Sequence, residues 1–292
     1  QSRASAIPHP RIETPPIAMR AIARLAFLSA ASNAVGFASA AATVGGKFTL
    51  HVYDHCPFCN RAEFVMGKLR VPYDRVLHHY GEGADPAECG GTGYNPKGGP
   101  VELTGYKMLP VLVGEGVPAP KGMKGMPESL EICSFVATKA SPGRSVAPAS
   151  GRPDLDEWRA EFKETNTLLT RPRISKMPVL DWSDPRDSAY SSWKYTTKFG
   201  FDYAAAEAAT AELVPKASAM LAKLEPLLRG TDMDGAPCLN PWGYSMDDVL
   251  LLPDLRMLSC VKGVQWPPKV KEYFDKACAE SQLESYEKDA LP

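Results

Sequence analysis

A chain of 292 residues with 44% hydrophobic and 23% charged residues is long enough for two domains of ordinary size and has the make-up of a soluble globular protein. Its formal net charge of −1 excludes the broadly basic surface of nucleic-acid binders, so no nucleic-acid partner is expected. Seven cysteines, an odd number at irregular spacings, exclude a secreted disulfide framework and fit a mostly reducing compartment.

Residues 1–46 differ from the rest. They hold Arg3, Arg11, Arg20 and Arg24 against one acid, Glu13, and no Lys. Leu25 to Gly46 is uncharged and consists largely of Ala, Ser, Gly and Val, with Ala38-Ser39-Ala40 in the form of a small-residue cleavage site. This reads as an organelle-targeting leader, to a plastid in preference to a mitochondrion, or else as an extension of a cytoplasmic protein. A membrane anchor ranks last, because the run is weakly hydrophobic and carries Ser29, Ser32 and Asn33.

Phe48 to Tyr53 reads as a strand, and Pro57 to Leu69 as a helix with Ala62, Val65, Met66 and Leu69 spaced for burial. Between them stands Tyr53-Asp54-His55-Cys56-Pro57-Phe58-Cys59. A Cys at a helix N-cap meets unpaired N–H groups and the positive end of the helix dipole, both of which favour a thiolate. Pro57 suits the first helical position, and Cys59 falls one turn further on the same face. Cys56 is then the expected nucleophile and Cys59 the resolving thiol. Two other readings stand beside this one. A zinc half-site needs a second ligand pair, and Cys89, Cys133, Cys238, Cys260 and Cys278 supply no second Cys-x-x-Cys; no metal is expected. A structural disulfide across so short a loop would remove little chain entropy.

Tyr73 to His79 reads as a second strand, parallel to the first. Gly81 to Gly105, with eight Gly and three Pro, reads as a long loop with a short helix at most. It is either a flap or partner contact, or a tolerated surface insertion. Met108 to Val113 is apolar with Pro110 near its start, Gly122 to Met126 suits a further short strand, and Glu128 to Lys139 is amphipathic. This strand–helix–strand, strand–strand–helix order is thioredoxin-like. Residues 47–140 are therefore expected to form an α/β thioredoxin-like domain and 141–152 a Ser/Pro/Gly-rich linker, with 153–292 all-helical.

In that second half, Pro153 to Leu169 reads as helical, and Arg171 to Pro178 as its break. Asp181 to Lys198 reads as a polar and aromatic surface segment. Tyr203 to Arg229 is an Ala-rich helix bent or divided by Pro215 and Pro226. Ser245-Met246-Asp247-Asp248 has the form of a capping box, with Tyr244 and Val249 as its staple. The helix that follows is apolar enough for the core, and a last one runs from Pro268 to about Ser281.

An N-terminal thioredoxin-like unit joined to a helical half is the glutathione-transferase architecture. Tyr53 to Cys59, Met108 to Val113, Met126 to Ile132 and Trp242 to Asp275 resemble the glutathione-transferase-like glutaredoxins, the bacterial glutaredoxin 2 family, in order across roughly residues 47–285. The resemblance implies catalysis by Cys56 and Cys59, with glutathione as co-substrate. It implies glutathione binding beside Pro57 and Phe58, with Pro110 as a cis-proline and the Leu109 backbone pairing with the cysteinyl amide. It further implies that Glu128 and Ser129 hold the γ-glutamyl end. The implied activity is glutathione-dependent reduction of protein or glutathione mixed disulfides, with disulfide-containing or glutathionylated proteins as partners. A glutathione transferase is the enzymatic alternative. A non-enzymatic alternative is a docking subunit of a larger, membrane-bound complex, reached through residues 1–46 or 81–105.

Overall fold

The computed structural model describes residues 48–91 and 93–292. The targeting or docking reading of residues 1–46 lies outside them. In β1 (Phe48–Val52) Phe48, Leu50 and Val52 are buried while Thr49 and His51 are half-buried, the period of two expected of a strand. β1 pairs in parallel with β2 (Tyr73–Leu77) and antiparallel with β3 (Val111–Val113), giving the order β2-β1-β3. The strand expected over 122–126 contracts to one antiparallel bridge from Met126 to Leu112. Pro127 follows at once and has no N–H to extend the ladder. Gly125 lies so close to the sheet that a Cβ would come within 2.7 Å of the Leu112 carbonyl.

α1 (Pro57–Leu69) lies at the centre of the molecule. Ala62, Met66 and Leu69 are fully buried and Val65 nearly so. Burial extends around most of the helix, because α3 (Ser129–Ala137) packs on one side and α8 (Met246–Leu258) and α9 (Pro268–Ser281) pack on the other. Gly67 permits the closest approach: a Cβ there would stand 2.5 Å from the Ser281 Cα. The buried apolar side chains form one continuous cluster from the sheet through α1 into the helical half. With β1, β2, β3, α1 and α3 on one side and a helical bundle on the other, the fold is thioredoxin-like followed by a glutathione-transferase-like helical half.

The Gly-rich segment after β2 carries a 3-10 turn at Pro86–Cys89 and the one-turn α2 (Val101–Thr104). It is clamped onto α5 (Pro185–Trp193). Asp187 there accepts from the Gly81 N–H and the Tyr94 hydroxyl, both at 2.8 Å, and the Arg186 guanidinium stacks on the Tyr94 ring.

Three expectations for the helical half need correction. First, α4 (Pro153–Ile174) does not stop at Arg171; it runs through Pro172. Leu169 and Ile174 are both buried, and Arg173 is tied to the Leu169 carbonyl, the Thr210 hydroxyl and the Pro292 carbonyl, so tertiary contacts override the local helix-breaking tendency. Second, 181–198 is a surface segment only at its end. Leu180–Trp182 is a 3-10 turn with Asp181 and Trp182 buried, α5 follows with Asp187, Tyr190 and Ser191 buried, and a π-helical turn at Lys194–Lys198 buries none of its residues. Third, the 203–229 helix divides at Ala209 into α6 (Tyr203–Ala208) and α7 (Thr210–Leu224). Pro215 lies within α7 and Pro226 lies in a terminal 3-10 turn. The two-residue strands β4 (Gly230–Thr231) and β5 (Pro237–Cys238) then form a hairpin. α8 opens on the expected capping box, with the Asp248 carboxylate accepting from the Ser245 N–H at 2.8 Å.

Two charge networks tie the halves together at opposite ends of α1. At the far end, buried Lys68 pairs with Asp232 and Glu280, while Arg144 from the 141–152 segment pairs with Asp234 and donates to the Lys68 carbonyl. At the near end, fully buried Arg256 of α8 donates to the Asp54 carboxylate at 2.8 Å and to the Asp54 carbonyl. Tyr286 and Arg75 donate to the same carboxylate. Burial alone would raise the Asp54 pKa, but the Arg256 and Arg75 charges outweigh it and hold the carboxyl well below its usual range. Among the described residues no helix is long and apolar enough to cross a membrane.

Candidate active site

Cys56 is the N-cap of α1, in extended backbone, with Pro57 at the first helical position. Its thiol is partly exposed, while Cys59 one turn below is fully buried. The two are free thiols in this structure. The Cys56 thiol is pushed down to about 7, first because the Cys59 thiol donates a hydrogen bond to it; the His55 charge and the Cys59 and Phe58 N–H groups add to this, against the effect of burial. Cys59 moves the other way: burial raises it, and so do its bond to Cys56 and the charge there. The Tyr53 N–H also donates to the Cys59 sulfur at 3.4 Å. One thiol is thus set up to ionise near neutral pH, and its partner to stay protonated. Among the other cysteines, Cys133, Cys238, Cys260 and Cys278 are each pushed up to about 12, chiefly by burial.

On one side of Cys56 runs a groove of about 200 Å³ formed by Phe58, Met108, Leu109, Pro110, Glu128 and Ser129. Six of the eight residues nominated from sequence therefore converge on this groove or the thiol beside it. Cys59 lies buried below, and Pro57 lines the adjoining cleft. The Leu109–Pro110 peptide is cis, as the resemblance implied. Phe58 is 52% exposed, with the Arg61 guanidinium 4.7 Å from its ring centre.

Glu128 has the backbone most in need of explanation. Its φ is +70°, a region that L side chains rarely adopt. Arg70 and Gln282 also have positive φ, but each closes a helix as a left-handed C-cap, where that conformation is ordinary. Glu128 instead precedes α3 and makes no side-chain cap hydrogen bond. Such strain costs on the order of 1–3 kcal/mol and concentrates at ligand clamps. Here it sets an exposed carboxylate beside buried Ser129 at the groove.

The other side of Cys56 comes from residues that the sequence did not nominate. Asp181 is fully buried and accepts from the Asp54 N–H at 3.0 Å, the His55 N–H at 2.8 Å and His55 Nδ1–H at 2.6 Å. It therefore fixes the loop that presents Cys56. Trp182 lies tilted against His55 at 4.5 Å between ring centres and edge-on to Tyr80 at 4.9 Å. A cleft of about 330 Å³ opens here, reaching from Cys56 to α4 and α5, and shares Phe58, Met108 and Leu109 with the groove. The density of aromatics at Trp182, Tyr190, Trp193 and Tyr195 was the available signal that this stretch is not free surface.

A Cys-x-x-Cys pair at a helix N-terminus, a cis-proline facing it and a helical half closing one side define a dithiol protein of glutathione-transferase-like build. Residues 154–290 match the family model described as glutaredoxin 2, C-terminal domain. Glutaredoxin 2 of Escherichia coli (strain K12) is 27% identical over 236 residues, covering 80% of this chain and 95% of that protein. The crystal structure of glutaredoxin 2 from Salmonella typhimurium in complex with glutathione is 24% identical and superposes with a TM-score of 0.66, covering 84% of this chain and 99% of that one. The chain is thus similar to the glutathione-transferase-like glutaredoxins of the glutaredoxin 2 family across both halves. Among the described residues no group of His, Cys, Asp and Glu is arranged to hold a metal ion.

Proposed function

We propose that the protein is a glutathione-dependent thiol–disulfide oxidoreductase acting on glutathione mixed disulfides and on disulfide-containing or glutathionylated proteins. The observation that carries this reading is the asymmetric thiol pair beside the groove: Cys56 is pushed down to about 7 and partly exposed, and Cys59 is pushed up and buried. The Cys56 thiolate attacks the disulfide and becomes part of a mixed disulfide while the other sulfur leaves with the electron pair. A second thiolate, from glutathione, then displaces Cys56. Cys59 can do the same only after losing a proton that its surroundings hold tightly, so the route through glutathione alone is favoured. Dithiols of this class sit at about −200 to −230 mV, close to the glutathione pool, so the direction follows that pool.

In the groove, the Leu109 backbone would offer its N–H and C=O to the glutathione cysteinyl amide. Glu128 would meet the γ-glutamyl ammonium, and the Ser129 hydroxyl with the α3 N-terminal N–H groups would meet its carboxylate. The test is turnover of the glutathione–2-mercaptoethanol mixed disulfide with glutathione. Cys56→Ser should lose activity completely and Cys59→Ser should retain much of it. Full activity in Cys56→Ser would overturn the assignment.

A further inference from the structure

The cleft on the α4–α5 side of Cys56 is lined by cations and by no acid. Lys107, Arg171 and Lys194 all line it, and among the described residues none has a carboxylate within ion-pair distance. Lys107 is held by neutral oxygens instead. It donates to the Tyr53 hydroxyl at 3.0 Å and to the Tyr80 carbonyl, and it lies 4.4 Å from the Tyr190 ring centre. Lys194 donates to the Tyr80 hydroxyl at 2.9 Å, and the Arg171 guanidinium lies over the Tyr195 ring at 3.5 Å. Acids around the cleft are otherwise engaged: Asp181 with His55 and the Asp54 and His55 N–H groups, Asp187 with His79, Tyr94 and Gly81, and Glu82 with His78. Burial and the repulsion from Lys194 push Lys107 down to about 7, so near neutral pH the positive charge of the cleft rests chiefly on Arg171 and Lys194. A further donor is also idle. Trp182 lines the same cleft, is only 9% exposed, and its Nε1–H has no acceptor among the described residues. The chain as a whole carries a net charge of −1, so this collection of cations held by neutral oxygens and rings is local.

We propose that this cleft is an acceptor site for anionic aromatic thiols, so that mixed disulfides between glutathione and aromatic carboxylates are preferred small-molecule substrates. The inference rests on the glutaredoxin reading. The cleft joins the groove through Phe58, Met108 and Leu109. With the glutathione half in the groove, the other half of the disulfide projects past Cys56 into the cleft. Its ring packs among Tyr80, Trp182 and Tyr195, and its carboxylate meets the cations. The Cys56 thiolate bonds to the glutathione sulfur as the disulfide breaks, and the aromatic thiolate leaves with the electron pair. Free glutathione then displaces Cys56 as glutathione disulfide, and its proton goes to the released thiol.

The test compares two mixed disulfides of glutathione, one with 4-thiobenzoate and one with 4-thiobenzamide, which differ in charge at nearly constant shape. Each kcat/KM is divided by the uncatalysed rate with glutathione. The wild-type protein should favour the carboxylate about tenfold at low salt. That preference should shrink as salt rises and approach parity in the Arg171→Gln/Lys194→Gln double variant. Equal turnover of the two by the wild-type protein, or a preference that neither salt nor the double variant reduces, would overturn the inference. The glutathione–2-mercaptoethanol mixed disulfide separates the two possible failures. If it turns over while carboxylate and amide are equal, only this inference falls; if no mixed disulfide turns over, the glutaredoxin reading falls with it.

Discussion

The two walls flanking Cys56 differ in origin and in kind. The groove wall, Leu109-Pro110 and Glu128-Ser129, comes from the same half as the thiol and is built largely of backbone: a cis peptide, a helix N-terminus and one residue at positive φ. The opposite wall comes from α4, the Leu180–Trp182 turn and α5, and is built of side chains: Trp182, Arg171 and Lys194, with Asp181 buried behind them and fixing the thiol loop. A backbone-built wall recognises a peptide-like ligand common to a whole family. A side-chain wall can be altered one residue at a time without disturbing the strands and helix that carry the chemistry.

The largest expected effect of breaking this arrangement is at Asp181. Asp181→Ala leaves the Asp54 and His55 N–H groups and His55 Nδ1–H buried without an acceptor. At about 1–3 kcal/mol for each orphaned group, folding stability should fall by roughly 3 kcal/mol or more. A urea unfolding curve measures this. Asp181→Asn, which keeps an acceptor oxygen, should fall between the variant and the wild type. An unchanged midpoint in Asp181→Ala would show that the helical wall does not support the thiol loop.

A smaller effect should separate binding from chemistry on the groove side. Glu128→Gln should raise the KM for glutathione about fivefold while changing kcat less, as expected for an exposed charged contact. Steady-state kinetics with varied glutathione would show it, and a fall in kcat alone would contradict the role given to Glu128.

The smallest effect concerns the thiol pair. Iodoacetamide alkylation of Cys56 should follow the thiolate fraction, with its midpoint near pH 7. The largest influence lowering that value is the Cys59 hydrogen bond, so Cys59→Ala should move the midpoint up, towards the ordinary thiol value of about 8.5. At neutral pH the variant should therefore react more slowly. A midpoint that does not move would place the cause elsewhere, with His55 and the helix N–H groups.

Much of the groove was legible in the sequence because it depends on local order. Cys56-Pro57-Phe58-Cys59 stands between a strand with a period of two and a helix with apolar residues spaced for burial, and both formed with nearly the expected bounds. The Ser245 capping box was legible for the same reason: its partners are three residues apart. The opposite wall was not. Asp181 reaches residues more than 120 positions away, and no local pattern distinguishes an Asp that accepts three buried hydrogen bonds from one on a solvated turn. Pro172 misled in the opposite direction. Its local preference to end a helix is real, but the packing of Leu169 and Ile174 and the anchoring of Arg173 outweigh it, and that continuation helps bring Arg171 to the cleft. The Arg256–Asp54 network was hidden too, since it joins residues 202 positions apart.

The central claim is that Cys56 is the thiol that exchanges with glutathione. Its most direct test is to incubate the Cys59→Ser variant with glutathione disulfide and locate the added glutathione by peptide mass spectrometry. The account predicts a single glutathione on Cys56, released by free glutathione. Glutathione found on Cys89, Cys133, Cys238, Cys260 or Cys278 with Cys56 unmodified would contradict it.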